Sequence, residues 1–202
     1  RLNLSGFDWQ QHCTGTLITR HAILTAAHCV YVHSRQRWAK PAEINFLPGY
    51  DRGDYVAHIR AERIVRADGF TPTASLSLAD TANDWAIIVT AKPAPAAITP
   101  IDLRSTLPGS PVVAAGYVRG SPHRLSKRGD CRLRADAAPG PWLLAHTCRL
   151  GHGASGGPLI ARTPAGPRVI GVQTGRSARM GYAVPAATFA PTVATADARA
   201  RP

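Results

Sequence analysis

Short apolar stretches recur along the whole chain, separated by polar turns rich in glycine and proline. The clearest are residues 22–26, 85–89 and 169–174. Runs of this length, bounded by turn residues, predict buried strands rather than helices. The remaining strands are predicted at residues 13–19, 44–47, 55–65, 112–117, 131–134, 142–148 and 182–184, with 131–134 and 142–148 as neighbours.

Many short strands with little helix are typical of an all-β sandwich or barrel. A short C-terminal helix is predicted at residues 185–196. Residues 92–100 hold three prolines and several alanines, which favours a stiff, extended connection. We therefore expect an N-terminal half over residues 1–95 and a C-terminal half over residues 101–202, together forming one functional unit.

Composition and charge narrow the range of partners. The chain has 202 residues and a formal net charge of +12 at pH 7, which implies attraction to acidic surfaces. Its arginines are scattered, with no dense basic run and no interleaved aromatic residues, so nucleic acid is not expected as the main partner. No apolar run approaches the roughly 20 residues that span a bilayer, so no membrane span is expected.

The chain contains four cysteines, at Cys13, Cys29, Cys131 and Cys148. Four cysteines allow three disulfide connectivities, and four free thiols in a reducing compartment are the alternative. A zinc site is disfavoured because no C-x2-C or H-E-x-x-H spacing occurs. Neither a metal nor a cofactor is expected.

The most distinctive stretch is a glycine-rich turn at residues 151–159 with a single hydroxyl group, that of Ser155. Glycine allows backbone conformations that other residues avoid, and it lets a ligand approach the main chain. A serine on such a turn can present its Oγ beside converging N–H groups, which suits a nucleophile next to an oxyanion hole. Taken alone, the turn is equally consistent with an exposed serine in an ordinary loop.

Two further stretches favour the catalytic interpretation. Residues 25–29, Thr-Ala-Ala-His-Cys, lie upstream, and residues 84–87, Asp-Trp-Ala-Ile, lie between them and the glycine-rich turn. The chain thus supplies His28, Asp84 and Ser155 in that order, and these side chains form the acyl-transfer triad.

With these motifs the sequence resembles the chymotrypsin-fold serine proteases, in particular their bacterial trypsin-like and glutamyl-endopeptidase branch. The family's TAAHC motif stands at residues 25–29, its D-[IW]-A-[LIV] segment at 84–87 and its G-x-S-G-G-P motif at 153–158. A Phe-x-Pro-Gly stretch common in the bacterial branch stands at 46–49. The matches run from about Cys13 to Pro185. The resemblance implies two six-stranded antiparallel barrels packed together, with the active site in the cleft between them.

The resemblance also implies a role for each site residue. Ser155 is the nucleophile, and His28 is the base that activates it and then protonates the leaving amine. Asp84 holds the imidazole tautomer, whereas Asp80 is disfavoured because no apolar strand follows it. The backbone N–H groups of Gly153 and Ser155 form the oxyanion hole. The implied activity is a serine endopeptidase that cleaves proteins or peptides through an acyl-enzyme, and we expect a monomer.

We expect local disulfides, Cys13 with Cys29 and Cys131 with Cys148. The first is the pairing that the resemblance implies, since relatives join the residue after the catalytic histidine to a cysteine at the position of Cys13. Disulfides are typical of exported proteins, so a secreted or periplasmic location is expected.

Six residues near the predicted site are candidates for substrate binding: Arg149, Leu150, His152, Gln173, Thr174 and Gly175. Trypsin-type relatives carry an aspartate where this chain has Arg149, so cleavage after lysine or arginine is disfavoured. Glutamyl endopeptidases use a histidine where this chain has Gln173, so the marker of acidic specificity is also missing. Arg149 and Arg176 are then the candidates for attracting an acidic substrate residue, and cleavage after a small or apolar residue is equally open.

Position 154 also departs from the animal relatives. There an aspartate precedes the nucleophile and pairs with a newly cut N-terminus, whereas this chain has Ala154 and begins with Arg1. Activation by that salt bridge is therefore not expected.

Two other functions remain open. A protease-fold binding protein could use the basic surface without turnover, but such proteins usually lose the histidine or the serine. An esterase-type serine hydrolase could use the same acyl-transfer site. An α/β-hydrolase is disfavoured because its triad runs in the order Ser, Asp, His.

Overall fold

The computed structural model describes residues 1–72, 77–104 and 111–198. Within these ranges the chain forms sixteen β-strands and two α-helices. The first ten strands are β1 (Leu2–Ser5), β2 (Gln10–Cys13), β3 (Thr16–Leu17), β4 (Ala22–Thr25), β5 (Tyr31–Val32), β6 (Arg37–Trp38), β7 (Ile44–Phe46), β8 (Ile59–Arg60), β9 (Arg63–Arg66) and β10 (Ala86–Val89). They are followed by β11 (Pro111–Gly116), β12 (Ser126–Arg132), β13 (Leu144–His146), β14 (Pro158–Thr163), β15 (Gly166–Arg176) and β16 (Gly181–Pro185). The helices are α1 (Leu78–Thr81) and α2 (Ala186–Ala198).

The N-terminal half is a barrel made from two four-stranded sheets, with strand orders β2-β1-β7-β8 and β3-β4-β10-β9. Only Thr14 and Gly15 separate β2 from β3, and only Ala61 and Glu62 separate β8 from β9. Each of these pairs is therefore one strand that bends from one sheet into the other, as at the corners of orthogonally packed sheets. Counted in this way, six antiparallel strands close the first barrel. The pair β5 and β6 forms a small separate hairpin.

The C-terminal half is a single six-stranded sheet with the order β12-β11-β14-β15-β16-β13. Its two edges meet just beyond β12, where Leu133 bridges to His146 and the Arg134 N–H donates to the Ala145 carbonyl at 2.9 Å. The sheet thus closes into a second barrel. The prediction of two six-stranded barrels is confirmed, as is the predicted contact between the segments after Cys131 and before Cys148.

The most apolar strands are buried on both faces, which explains their unbroken hydrophobic pattern. Ile23 of β4 and Ile88 of β10 face the interior of the first barrel. Their neighbours Leu24 and Ile87 face the other way and pack with Phe189 of α2. The predicted C-terminal helix is therefore present, and it covers the junction where the first barrel meets the second.

Three segments differ from the predictions. Residues 55–65 contain only the short strands β8 and β9, because residues 55–58 turn away from the ladder and leave Val56 56% exposed. Strands β1 and β2 were not predicted, since their apolar residues are too few to stand out from the polar ones. Strand β12 was predicted only at its end, from residue 131, because an edge strand exposes most of its side chains and loses the apolar signal.

Both expected disulfides are formed. Cys13 is bonded to Cys29, and Cys131 is bonded to Cys148. Local pairing is therefore confirmed. The Cys13–Cys29 bridge fastens the end of β2 to the turn that follows β4, which is the turn that carries His28.

Residues 92–100 contain only turns and extended backbone and run between the two barrels. The proposed boundaries of the halves, at residues 95 and 101, stay a prediction. Neither helix in the described parts of the chain is long and apolar enough to cross a membrane.

Candidate active site

His28 lies in a 3-10 turn, Ala27–Val30, that directly follows β4. Two contacts with Asp84 fix this residue: its backbone N–H donates to Oδ1 at 2.8 Å, and its Nδ1 lies 2.6 Å from Oδ2. An imidazole that donates from Nδ1 keeps a lone pair on Nε2. The arrangement therefore selects the tautomer in which His28 can accept a proton.

Asp84 precedes β10 and its side chain is completely buried. Its carboxylate receives hydrogen bonds from the His28 backbone, from the His28 ring and from the Thr174 hydroxyl. A buried carboxylate must be compensated by donors in this way, because no water solvates its charge. Thr174 belongs to β15, so the carboxylate is held from both barrels.

The environment sets the basicity of His28. Burial alone would lower the pKa of the imidazole, but attraction to the Asp84 carboxylate and their hydrogen bond together raise the pKa above its ordinary value. His28 keeps 21% of its side-chain surface accessible. It is thus a strengthened base that can still reach a reactant.

Ser155 and His28 line the same cleft, which has a volume of about 500 Å³. Ser155 comes from the glycine-rich turn of the second barrel. Its carbonyl accepts a hydrogen bond from the Thr14 N–H of the first barrel at 2.9 Å. The structure thus brings the predicted nucleophile and base to one cavity, each carried by a different barrel.

Two glycines of the turn adopt a positive φ and cannot be replaced without strain. Gly153 has φ +94°, and a Cβ there would lie 2.4 Å from the Tyr117 carbonyl oxygen. Gly156 has φ +78°, and a Cβ there would lie 2.2 Å from Thr25 Oγ1 and 2.3 Å from the Thr14 carbonyl oxygen. The glycine pattern therefore reflects both left-handed backbone and close packing against Thr14, Thr25 and Tyr117.

The turn presents two backbone donors beside Ser155. Among the residues that the structure describes, the N–H groups of Gly153 and Ser155 donate to no acceptor. Free N–H groups next to a nucleophile can stabilise a developing oxyanion. These are the two donors predicted from the sequence.

Of the six predicted substrate-binding residues, five line the cleft: Leu150, His152, Gln173, Thr174 and Gly175. Arg149 is exposed and lies outside the lining, so it is no longer a candidate for attracting substrate from the pocket wall. The two residues next to Arg149 in the sequence, Cys148 and Leu150, line the cleft in its place.

Gln173 has a structural role in the wall. Its side-chain Nε2 donates to the Ala115 carbonyl at 2.9 Å and to the Pro158 carbonyl at 3.3 Å. Both amide hydrogens are used, so Gln173 offers no side-chain donor to an acidic substrate residue.

The sequence interpretation missed the part of the cleft that comes from the first barrel. His33, Phe70 and Pro72 line it together with Gly181 of β16. Phe70 belongs to an aromatic cluster, with its ring centroid 6.2 Å from that of Trp38. No local sequence signal distinguishes these residues, because they meet the site only through the closure of the barrel.

The permanent charge on the described lining residues of the cleft is positive only. The lining residues that the structure describes include no carboxylate, and Arg176 is their one permanent cation. Arg176 is exposed and makes no ion pair within the described chain. The cleft therefore favours neutral or anionic ligands over cationic ones.

One group of side chains in the described residues has the proximity of a metal site: Cys13, His28 and Cys29. Both cysteines are consumed by their disulfide, and His28 is held by Asp84. These residues therefore do not fit a metal, because a bonded disulfide supplies no thiolate ligand.

Comparison with known proteins identifies the family and the fold of the chain independently of the site geometry. The family model of the trypsin-like peptidase domain matches residues 13–172. Among solved structures, a Glu endopeptidase in complex with MPD superposes with a TM-score of 0.75 at 20% identity, over 98% of this chain and 89% of that chain. No curated protein matches at a significant level. The structural match shows a shared chymotrypsin-like fold, and the family model covers most of the sequence. The chain therefore belongs to the trypsin-like peptidase family.

Proposed function

We propose that this protein is a serine endopeptidase that cleaves peptide bonds with His28, Asp84 and Ser155 through an acyl-enzyme. The observation that carries the proposal is the shared cleft: Ser155 and His28 line it together, and the imidazole is fixed by the buried Asp84. The contact of Nδ1 with Asp84 supports this role, because it makes Nε2 of His28 available as the proton acceptor that a serine nucleophile needs.

In the acylation half-reaction, His28 takes the proton from Ser155 Oγ as that oxygen attacks the scissile carbonyl. The N–H groups of Gly153 and Ser155 stabilise the oxyanion of the tetrahedral intermediate. The protonated His28 is stabilised by Asp84 and gives its proton to the leaving amine. The C–N bond breaks, the amine product leaves, and the acyl group remains on Ser155.

In the deacylation half-reaction, water replaces the amine. His28 removes a proton from water, and the resulting oxygen nucleophile attacks the acyl carbonyl. The same two N–H groups hold the second oxyanion. Collapse of this intermediate returns the proton to Ser155 Oγ and releases the carboxylic acid product.

The substrate is a protein or peptide, as the family implies. The composition of the cleft wall argues against lysine or arginine at the cleaved position, because no described lining residue carries a carboxylate that could pair with them. Two disulfides are consistent with an oxidising compartment, and we propose that the protein acts after secretion or in the periplasm.

Active-site labelling tests the proposal directly. The native, disulfide-intact protein is treated with a fluorophosphonate and analysed by intact mass and peptide mapping. A single adduct on Ser155 is expected, absent in Ser155→Ala and strongly reduced in His28→Ala. Digestion of a peptide library then separates an endopeptidase from an esterase-type hydrolase, which would cleave activated esters but no peptide bonds.

Absence of any adduct on the folded protein would overturn the proposal. In that case the non-catalytic alternative, a protease-fold binding protein with a basic surface, becomes the function to test.

A further inference from the structure

Thr14 occupies an unusual position between the barrels. It lies in the two-residue break between β2 and β3, and it is buried, with 2% of its surface exposed. We infer that its hydroxyl is a positioning group that fixes the orientation of the oxyanion-binding turn at Gly153. This inference rests on the proposed serine-protease function, whose donors are the N–H groups of Gly153 and Ser155.

Every polar group of Thr14 is engaged. Its N–H donates to the Ser155 carbonyl at 2.9 Å, and its own carbonyl accepts from Thr25 Oγ1 at 2.9 Å. Its hydroxyl donates to the Gly153 carbonyl at 3.0 Å and accepts from the Tyr117 N–H at 2.9 Å. Because Tyr117 donates to Thr14 Oγ1, the hydroxyl hydrogen is left to point at Gly153. One residue of the first barrel therefore contacts both ends of the segment that carries the nucleophile.

The hydrogen bond from the Thr14 hydroxyl restrains the peptide group that follows Gly153. The carbonyls of the two peptide groups that flank Gly153 are both held: Thr14 Oγ1 donates to the Gly153 oxygen, and the Arg119 N–H donates to the His152 oxygen at 2.6 Å. In a trans peptide the N–H points opposite to the C=O, and the described residues contain no cis peptide. Holding the His152 carbonyl on Arg119 therefore turns the Gly153 N–H away from Arg119 and leaves it without a partner. Releasing either carbonyl would let the turn rotate about Gly153, whose glycine backbone resists rotation least.

Ala154 and the glycines of the turn offer no side chain that could hold the Gly153 carbonyl. Ala154 has no polar side-chain atom, and it packs so closely on Gly116 that a Cβ on Gly116 would lie 2.6 Å from its Cα. The neighbouring glycines have no side chain at all. The Gly153 carbonyl is thus held from outside the turn, and among the described residues the Thr14 hydroxyl is its one side-chain donor.

The experiment compares three variants of the native protein. Thr14→Val keeps the side-chain shape and removes the hydroxyl, and Thr14→Ser keeps the hydroxyl. Thr16→Val is the matched control, because Thr16 is also buried and its hydroxyl has no partner among the described residues. Thr14→Ala provides a second hydroxyl-free variant if the valine side chain impairs folding.

We expect Thr14→Val to lower kcat by about 10- to 100-fold with KM changed by less than about threefold, since removing an oxyanion donor outright costs roughly 10²- to 10³-fold. Thr14→Ser should restore most of kcat, and Thr16→Val should leave it unchanged. A folded Thr14→Val protein with the kcat of the wild type overturns the inference. Equal losses in Thr14→Val and Thr16→Val would also overturn it, because they would indicate a general packing effect.

Amide hydrogen exchange provides a readout that needs no turnover. The Ala154 N–H donates to the Gly151 carbonyl at 3.3 Å, and the Gly157 N–H donates to the Ala154 carbonyl at 2.9 Å. We expect Thr14→Val, but not Thr16→Val, to speed exchange at these two amides. If the wild type fails to label at Ser155, the proposed function fails, and exchange alone then decides whether Thr14 positions the turn. Unchanged exchange in Thr14→Val would refute that role.

Discussion

Thr174 and His28 donate to the same atom, Oδ2 of the buried Asp84 carboxylate. His28 belongs to the first barrel and Thr174 to the second, so the orienting carboxylate is shared across the cleft. A carboxylate that also serves a hydroxyl is a weaker acceptor for the imidazole than one that serves the imidazole alone. We therefore expect the basicity of His28 to depend on Thr174, a residue from the opposite barrel.

Replacing Thr174 with valine should raise the pKa of His28 further. Without the hydroxyl, less of the Asp84 charge is offset, and the imidazolium form gains stability. The acidic limb of the kcat/KM profile should move to higher pH, and activity at neutral pH should fall by roughly tenfold for one pKa unit. Thr174→Ser, which keeps the hydroxyl, serves as the control. An acidic limb at the same pH in Thr174→Val and wild type would contradict this role.

The pH dependence of the wild type follows from the raised pKa of His28. The base must be neutral, so kcat/KM should increase with pH and reach half of its maximum above about 6.5, the ordinary value for histidine. Asp84→Asn removes the charge that raises the pKa and also favours the wrong tautomer. It should shift the midpoint downward and reduce kcat by roughly 10⁴-fold. Initial rates across pH 5 to 9 on one peptide substrate measure both effects. A midpoint below 6.5 in the wild type would contradict the assignment.

His146 should make the fold sensitive to acid. It is 1% exposed, and neither ring nitrogen has a hydrogen-bond partner in the described chain. Burial lowers the pKa of His146 to about 4, although the nearby Cys148 carbonyl opposes this in part. Between about 4 and 6.5 the unfolded chain binds a proton that the folded chain does not, so stability falls as pH falls through this window, by up to about 3 kcal/mol.

Denaturant unfolding at a series of pH values measures the effect of His146. His146→Leu should flatten the dependence of the unfolding free energy on pH between 4 and 6.5. His58→Gln, which removes an exposed imidazole and not a buried one, is the control. A slope that survives in His146→Leu would assign the acid sensitivity to other groups.

Arg176 should influence substrate choice through its charge. It is the permanent cation among the described residues that line the cleft. Arg176→Glu should lower kcat/KM for peptides with acidic residues near the scissile bond by about fivefold and raise it for basic ones, since an exposed charge pair contributes up to about 1 kcal/mol. The effect should shrink as salt is added. Arg179→Glu, an exposed substitution outside the lining, is the matched control. Identical library profiles for the two variants would exclude a specific role for Arg176.

The sequence was most informative where chemistry restricts the residue type. The contexts of His28, Asp84 and Ser155 are local, so they could be recognised without knowing the fold. The buried strands β4 and β10 were predictable for a related reason: both of their faces are covered, so their apolar runs are unbroken.

The parts that could not be predicted depend on long-range closure. Phe70 reaches the cleft because the first barrel closes, and the residues around Phe70 in the sequence give no sign of this position. Arg149 stands where trypsin-type relatives carry an aspartate, but the path of the loop around Cys148 places it outside the cleft. Thr174 was predicted to contact substrate, yet its hydroxyl is bound to Asp84, a partner that lies 90 residues away in sequence.

The interruption between β2 and β3 has a wider consequence. A continuous strand would use its main-chain groups within its own sheet, whereas the bend at Thr14 leaves an N–H free to bind the Ser155 carbonyl. The corner that lets one barrel close is thus also the place where the other barrel docks. The closure of the first barrel and the position of Ser155 therefore depend on the same two residues, and a substitution that straightened this corner would open the barrel and displace Ser155 together.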